Sequence, residues 1–152
     1  MYPLRGQPFE DFVAEAEPRL RRAFAAAFGR DRGSDALSES FAWAWEHWDR
    51  VQAMENPLGY LYRVGASKTR QRKRPVFPRL AEANAPWIEP ALVPALLALT
   101  EPQRVSVVLV HGFGWPQREV AKLLEIAPST VQTHVERALA KLRRALEVTT
   151  DA

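Results

Sequence analysis

The sequence predicts an all-α protein built as two small helical domains, residues 8–74 and 91–147, joined by a proline-rich linker over residues 75–90. Three observations lead there. Apolar residues recur at steps of three and four through nearly every segment outside the linker, the spacing of a helix with one buried stripe. Pro75, Pro78, Pro86 and Pro90 interrupt that periodicity in the middle of the chain. Residues 116–146 read as two short helices separated by a tight turn.

Composition sets the outer bounds. A length of 152 residues accommodates one medium domain or two small ones, and a hydrophobic content of 47% with five Trp and seven Phe supplies enough apolar surface to exclude global disorder. Cysteine is absent, which removes disulfides, thiol nucleophiles and cysteine metal sites, and fits a reducing compartment. No stretch reaches the length of a membrane span, so the expectation is a cytoplasmic protein without membrane insertion. The net charge of +3 and pI near 9.6 are mildly basic, but the charge is segregated. Acids are frequent from Glu10 to Asp49, whereas every charged residue from Leu58 to Leu80 is basic: Arg63, Lys68, Arg70, Arg72, Lys73, Arg74 and Arg79. Such a division suits two different partners.

Taken in order, Phe12, Val13, Ala16, Leu20, Ala23, Phe24 and Ala27 predict a first helix over Phe9 to Phe28, kinked or divided at Pro18. Gly29 to Gly33 reads as a turn, and Ser34 as the N-cap of the next helix. There Leu37, Phe41, Ala44 and Trp48 share one face, with Trp45 at its edge. Asp35, Glu39 and Glu46 lie nearly opposite, and Trp43 lies on neither face. The acidic ridge is either solvated helix surface or a docking surface for a basic partner; periodicity leaves both open.

Asp49 to Glu55 reads as a polar connection, and Asn56-Pro57 as a helix start, a capping side chain followed by proline at the first turn. In the helix that follows, Leu58, Leu61, Tyr62 and Gly65 face one way. Tyr60, Arg63, Ser67, Arg70, Gln71 and Arg74 face the other. A solvated basic helix end would account for the arginines. An outward tyrosine beside them fits single-stranded nucleic acid better, because rings stack on bases while guanidinium groups hold phosphates.

Beyond the linker, Leu92 to Leu99 makes a short apolar helix, and Thr100-Glu101-Pro102-Gln103 reads as a capping box for another that carries Val105, Val108 and Leu109 and stops at Gly112 to Gly114. The last two helices follow. Val120, Ala121 and Leu124 face inward on the first, Ile126 tucks in the turn, and Pro128 opens the second. Val131, Val135, Ala138, Leu142 and Leu146 form its apolar stripe, opposite Ser129, Gln132, Thr133, Glu136, Arg137, Arg143 and Arg144. An amphipathic hairpin would show the same periodicity, but this polar and basic face suits a helix-turn-helix whose second helix lies in a major groove.

The wording of these stretches adds a resemblance. "WPQREVAKLLEIAPSTVQTHVERALAKLRRAL" resembles the C-terminal helix-turn-helix of bacterial sigma factors, which reads the minus-thirty-five promoter element, a pattern shared with other helix-turn-helix families. "SDALSESFAWAWEHWDRV" is similar to the polymerase-binding helix, and "NPLGYLYRVGASKTRQRKR" to the promoter-melting helix, of extracytoplasmic-function sigma factors in the sigma-70 family. The order and spacing of the motifs cover nearly the whole chain, with residues 8–74 similar to region 2 and residues 91–147 to region 4.

The resemblance implies three surfaces. Asp35, Glu39 and Trp43 would meet core RNA polymerase. Asn56, Tyr60, Arg63, Ser67, Arg70 and Arg74 would lie along the melted minus-ten strand, with the loop from Asp49 to Glu55 walling a pocket for a flipped base. Ser129, Thr130, Gln132, Thr133 and Arg137 would contact the minus-thirty-five duplex. The partners implied are core polymerase and promoter DNA, duplex and melted, and the family admits an anti-sigma factor as a further one. No cofactor is implied.

The chain departs from the family pattern at several positions. Ser38 stands for the usual Gln, Ala36 for a larger apolar residue, Lys68 and Arg70 for apolar residues and Gln71 for Asp. Gln132 and His134 replace common basic residues, which lowers phosphate attraction. Glu125 replaces the usual turn glycine and is expected at positive φ, at a cost of about 1 kcal/mol.

Two other classes fit parts of the sequence: a stand-alone helix-turn-helix regulator, usually dimeric on a paired operator, and a sigma-like interaction protein that no longer initiates transcription. An enzyme fits least. His47, His111 and His134 are dispersed without ligand spacing, and the chain shows no metal motif, phosphate loop, nucleophile elbow or paired carboxylates.

Overall fold

The computed structural model describes residues 6–72 and 90–150. Every regular element among them is helical, and they fall into two compact units, α1–α4 belonging to the first and α5, α6 and α8 to the second. In the first unit these are α1 (Phe9–Phe28), α2 (Arg30–Glu46), α3 (Trp48–Gln52) and α4 (Pro57–Gln71). The second carries α5 (Leu92–Leu97), α6 (Glu101–Val107) and α8 (Pro128–Thr150), with α7 (Gln117–Leu124) preceding α8.

The first unit is built on the mutual packing of α1, α2 and α4. Phe12, Leu20 and Phe24 of α1, Ala36 and Leu37 of α2, and Leu61, Tyr62 and Ala66 of α4 are buried in it. The Phe24 and Tyr62 rings stack, with centroids 5.3 Å apart. Pro18 neither divides α1 nor ends it. Its side chain is exposed, so the missing N–H falls on the wet side of a helix that the opposite face holds in place.

The turn expected over Gly29 to Gly33 is one residue long. Gly29, at φ 83°, separates α1 from α2, so Ser34 lies inside α2 rather than capping it. Gly33 is buried because the helices cross closely there: a Cβ would lie 2.9 Å from the Phe24 carbonyl carbon. The polar connection expected after Trp48 contains a helical turn of its own, α3, fastened by the fully buried Val51.

Asn56 caps α4 as the sequence predicts, its side-chain oxygen accepting from the Gly59 N–H at 3.2 Å with Pro57 at the first turn. In the second unit the capping box at Thr100 and Gln103 is present, and Ala95, Leu99, Val107, Ala138 and Leu142 form a buried cluster that joins α5 and α6 to α8. The end of α6 differs from a plain helix: Val108–Gly112 widens into a π-helical turn, closed by the Phe113 N–H donating to Val108 O at 3.1 Å. Gly114, at φ 73°, then turns the chain toward α7.

Candidate nucleic-acid interface

The N-terminal unit gathers an aromatic and cationic layer where α2, α3 and α4 meet. The helical spacing of Trp43 and His47 brings their rings together, stacked with centroids 4.2 Å apart, and His47 Nδ1 lies 2.9 Å from the Trp43 carbonyl oxygen. Tyr60, on the first turn of α4, sits 5.1 Å from the Trp43 ring. Arg50, on α3, places its guanidinium 5.6 Å from the centroids of both rings and donates to the Tyr60 hydroxyl at 3.4 Å. Arg63 lies 5.6 Å from the Tyr60 ring on the side of α4. Trp43, His47 and Tyr60 are half-buried, so the tyrosine expected to point outward is partly covered. Arg50 and Arg63 are exposed, and Arg63 also donates to the Glu125 carboxylate. Rings beside guanidinium groups are the chemistry that stacks an unpaired base while neutralising its phosphate.

The predicted site residues distribute unevenly over this surface. Tyr60 and Arg63 are in the layer, and Trp43, expected with Asp35 and Glu39, joins Tyr60 there. Ser67 and Arg70 are exposed farther along α4, Asn56 marks its start, and Arg74 lies outside the described residues. His47 and Arg50 were not singled out by the sequence. Their signal was the four-residue step from Trp43 to His47 and the three-residue step to Arg50, which becomes visible once α3 is recognised as a helix.

The acidic ridge on α2 is also resolved. Asp35 is exposed, whereas Glu39 is half-buried and bonded to two cations of α4, Arg72 and Lys68, the latter at 3.3 Å. Hydrogen bonds from Arg72, then from Lys68, hold the Glu39 carboxyl below its ordinary value of 4.5, against the opposing effect of desolvation.

In the helix-turn-helix, α7 and α8 are joined by Glu125, Ile126 and Ala127. Glu125 has φ 57°, as expected of the residue replacing the turn glycine. Ile126 is half-buried and its N–H donates to Ala121 O at 3.0 Å. On α7, Leu123 rather than Leu124 is fully inward, with Val120 and Ala121. Val131, Val135, Ala138 and Leu142 of α8 are buried as predicted, and Leu146 is half-buried.

That packing leaves Ser129, Thr130, Gln132 and Arg137 exposed over the first turns of α8, the part of a recognition helix that reaches base edges. Gln132 donates to Glu136 at 3.1 Å, and the half-buried Thr133 hydroxyl donates back to Ser129 O at 3.1 Å. Lys141 reaches the nearly buried Gln103 carboxamide oxygen at 2.9 Å, tying α8 to the cap of α6. Among the described residues no group of three or more metal-ligating side chains converges, and no helix is long and apolar enough to cross a membrane.

Comparison with known proteins matches a family over the C-terminal part of the chain. Residues 91–142 match the model of sigma-70, region 4. No curated protein matches the chain. Among solved structures, the chain is similar to the sigma factor RpoE in complex with the anti-sigma factor NepR from Bartonella quintana, at 20% identity and a TM-score of 0.63, covering 92% of this chain and 97% of that one. It is also similar to CnrH in complex with the cytosolic domain of CnrY, at 25% identity and a TM-score of 0.64, covering 92% of this chain and 88% of that one. The matched residues include α7 and most of α8, so the helix-turn-helix is of the sigma-70 region 4 type. Over nearly its whole length the chain shares the fold of these solved sigma-factor structures.

Proposed function

We propose that this protein directs bacterial core RNA polymerase to a two-part promoter and assists its opening. The observation that carries the proposal is the pairing, in one short chain, of a region 4 helix-turn-helix with a half-buried aromatic layer edged by exposed arginines where α2, α3 and α4 meet. The recognition helix is suited to duplex DNA through Ser129, Thr130, Gln132, Thr133 and Arg137. The layer around Tyr60 and Arg63, with Asn56, Ser67 and Arg70 along α4, is suited to the melted minus-ten strand, and Arg74, which lies outside the described residues, is proposed for the same strand from its place in the sequence. On α2 the exposed Asp35 is the residue best suited to core polymerase. Glu39, held by Lys68 and Arg72, and Trp43, against Tyr60, are proposed to border that contact farther along the helix.

In this reading residues 8–74 act as region 2, residues 75–90 as the linker and residues 91–147 as region 4. The protein makes and breaks no covalent bond, needs no cofactor and works in the cytoplasm. DNA opening draws on capture of unstacked bases, each stack being worth about 1–3 kcal/mol, and on phosphate neutralisation, so promoter affinity falls steeply with salt. The structural relative solved with an anti-sigma factor supports a third partner of that kind.

The test is assembly followed by strand opening. The purified chain should co-elute with bacterial core polymerase, and the complex should render promoter thymines reactive to permanganate. Co-elution without strand opening would leave a sigma-like interaction protein. Duplex binding without co-elution would leave a stand-alone regulator.

A further inference from the structure

A second convergence of charge lies at the last turn of α4, apart from the aromatic layer. Lys68 and Arg72 stand one turn apart and reach the same carboxylate, each taking a different oxygen of Glu39, with Lys68 Nζ 3.3 Å from Oε2. Arg32 fixes the turn that carries them, donating to Thr69 O at 2.8 Å and to Arg72 O at 3.4 Å. The two cations are more exposed than the acid between them, at 43% and 62% against 26%.

This is the geometry of a two-pronged anion site with a carboxylate lying in it. A phosphodiester presents the same feature, two terminal oxygens sharing one negative charge, and a guanidinium beside an ammonium recognises it. Lys68 lies one residue round the helix from the exposed Ser67, so a strand passing along α4 would bring a phosphate to its end. Ion pairs this exposed are weak and screened by salt, which makes the carboxylate displaceable.

We propose that Lys68 and Arg72 form a backbone-phosphate subsite for single-stranded nucleic acid, and that Glu39 occupies it as an internal placeholder in the free protein. The proposal rests on reading α4 as a strand-binding helix and adds to it two residues outside the predicted site. The depressed titration of Glu39 agrees with a carboxylate held between two cations.

The experiment is fluorescence anisotropy of a short labelled single-stranded oligonucleotide, titrated with the full chain over a range of salt. Glu39→Gln should bind several-fold tighter than wild type at low salt, and the gain should shrink as salt rises and the internal pair weakens. A Lys68→Ala/Arg72→Ala chain should lose about 1.4 from the slope of log affinity against log salt, about 0.7 for each phosphate contact. Adding Glu39→Gln to that chain should restore nothing, because the placeholder then guards no site.

Glu46→Gln, which removes an equal charge from the end of α2, should give a smaller gain than Glu39→Gln. The same titrations with duplex of the same sequence should show no such gain. Wild-type affinity in Glu39→Gln, a wild-type salt slope in the double variant, or a gain that survives in the triple variant would each overturn the proposal. The surface double variant keeps the test decisive should Glu39→Gln lose helicity by circular dichroism. Failure of the promoter-specificity reading would appear separately, as the absence of new transcripts in a polymerase assay.

Discussion

Gly65→Ala probes the packing that positions α4. Gly65 lies in the middle of α4, where alanine is the better helix former by about 1 kcal/mol, so secondary structure alone predicts stabilisation. Tertiary packing predicts the reverse. A Cβ at Gly65 would sit 2.5 Å from Phe24 Cζ and 2.7 Å from the Ala36 carbonyl oxygen. Ordinary carbon contact is about 3.5–4 Å, so the Phe24 ring would have to retreat by about 1 Å, and it is fully buried against Tyr62. The Ala36 oxygen belongs to α2 and moves only with its helix.

Overpacking of this kind costs about 1–3 kcal/mol, and the backbone contact places Gly65→Ala toward the upper end, leaving a net loss of about 2 kcal/mol after the propensity gain. For a unit of this size that corresponds to a fall in Tm of about 10 °C. Urea unfolding followed by amide hydrogen exchange would localise the loss to α1, α2 and α4. Ser67→Ala, exposed two residues on, should stay within about 0.5 kcal/mol of wild type. A Gly65→Ala chain as stable as wild type would refute the close approach of α4 to Phe24 and α2.

Three further outcomes follow from the same geometry. Glu125→Gly should be more stable than Glu125→Ala by about 1 kcal/mol in chemical denaturation, because both remove the side chain but only glycine relieves the φ of 57°; equal stabilities would place the turn elsewhere. Tyr60→Ala should weaken binding to a single-stranded oligonucleotide by about 1–3 kcal/mol in anisotropy titrations while leaving duplex affinity unchanged; parallel losses on both would point to misfolding. Because its cationic partners depress the titration of Glu39, the stability it confers is present above pH 4.5 and is lost as pH falls through the lower folded value. The urea-midpoint difference between wild type and Glu39→Gln should therefore hold from neutral pH to mildly acid conditions and disappear in stronger acid; a difference that grew on acidification would reverse the assigned cause.

What the sequence made legible was mostly local chemistry. Asn56-Pro57 and Thr100 with Gln103 announce helix starts because the capping groups lie within three residues of the N–H groups they satisfy. The α8 stripe from Val131 to Leu142 is equally local, and it fixes which side of α8 stays outside. Glu125 was legible as a strained turn because the usual residue there is glycine.

The features that sequence pattern missed depend on partners far along the chain. Gly33 resembles a turn residue, yet its absent Cβ serves the crossing of α2 over Phe24. Pro18 resembles a helix break, yet packing on the opposite face overrides the lost hydrogen bond. Glu39 fits a solvated ridge by periodicity, whereas its partners Lys68 and Arg72 lie about thirty residues away. Trp43, on neither face of α2, turns out to lie against Tyr60, and an aromatic residue at an edge position was the signal of that contact.

The measurement that bears most directly on the central claim is run-off transcription by purified bacterial core polymerase on fragmented genomic DNA, with 5′ ends sequenced in the presence and absence of this protein. New start sites sharing two spaced upstream elements are expected, and they should disappear with Tyr60→Ala and shift in upstream preference with Gln132→Ala. An unchanged set of start sites, with duplex binding intact, would contradict the assignment of promoter-directed initiation to this chain.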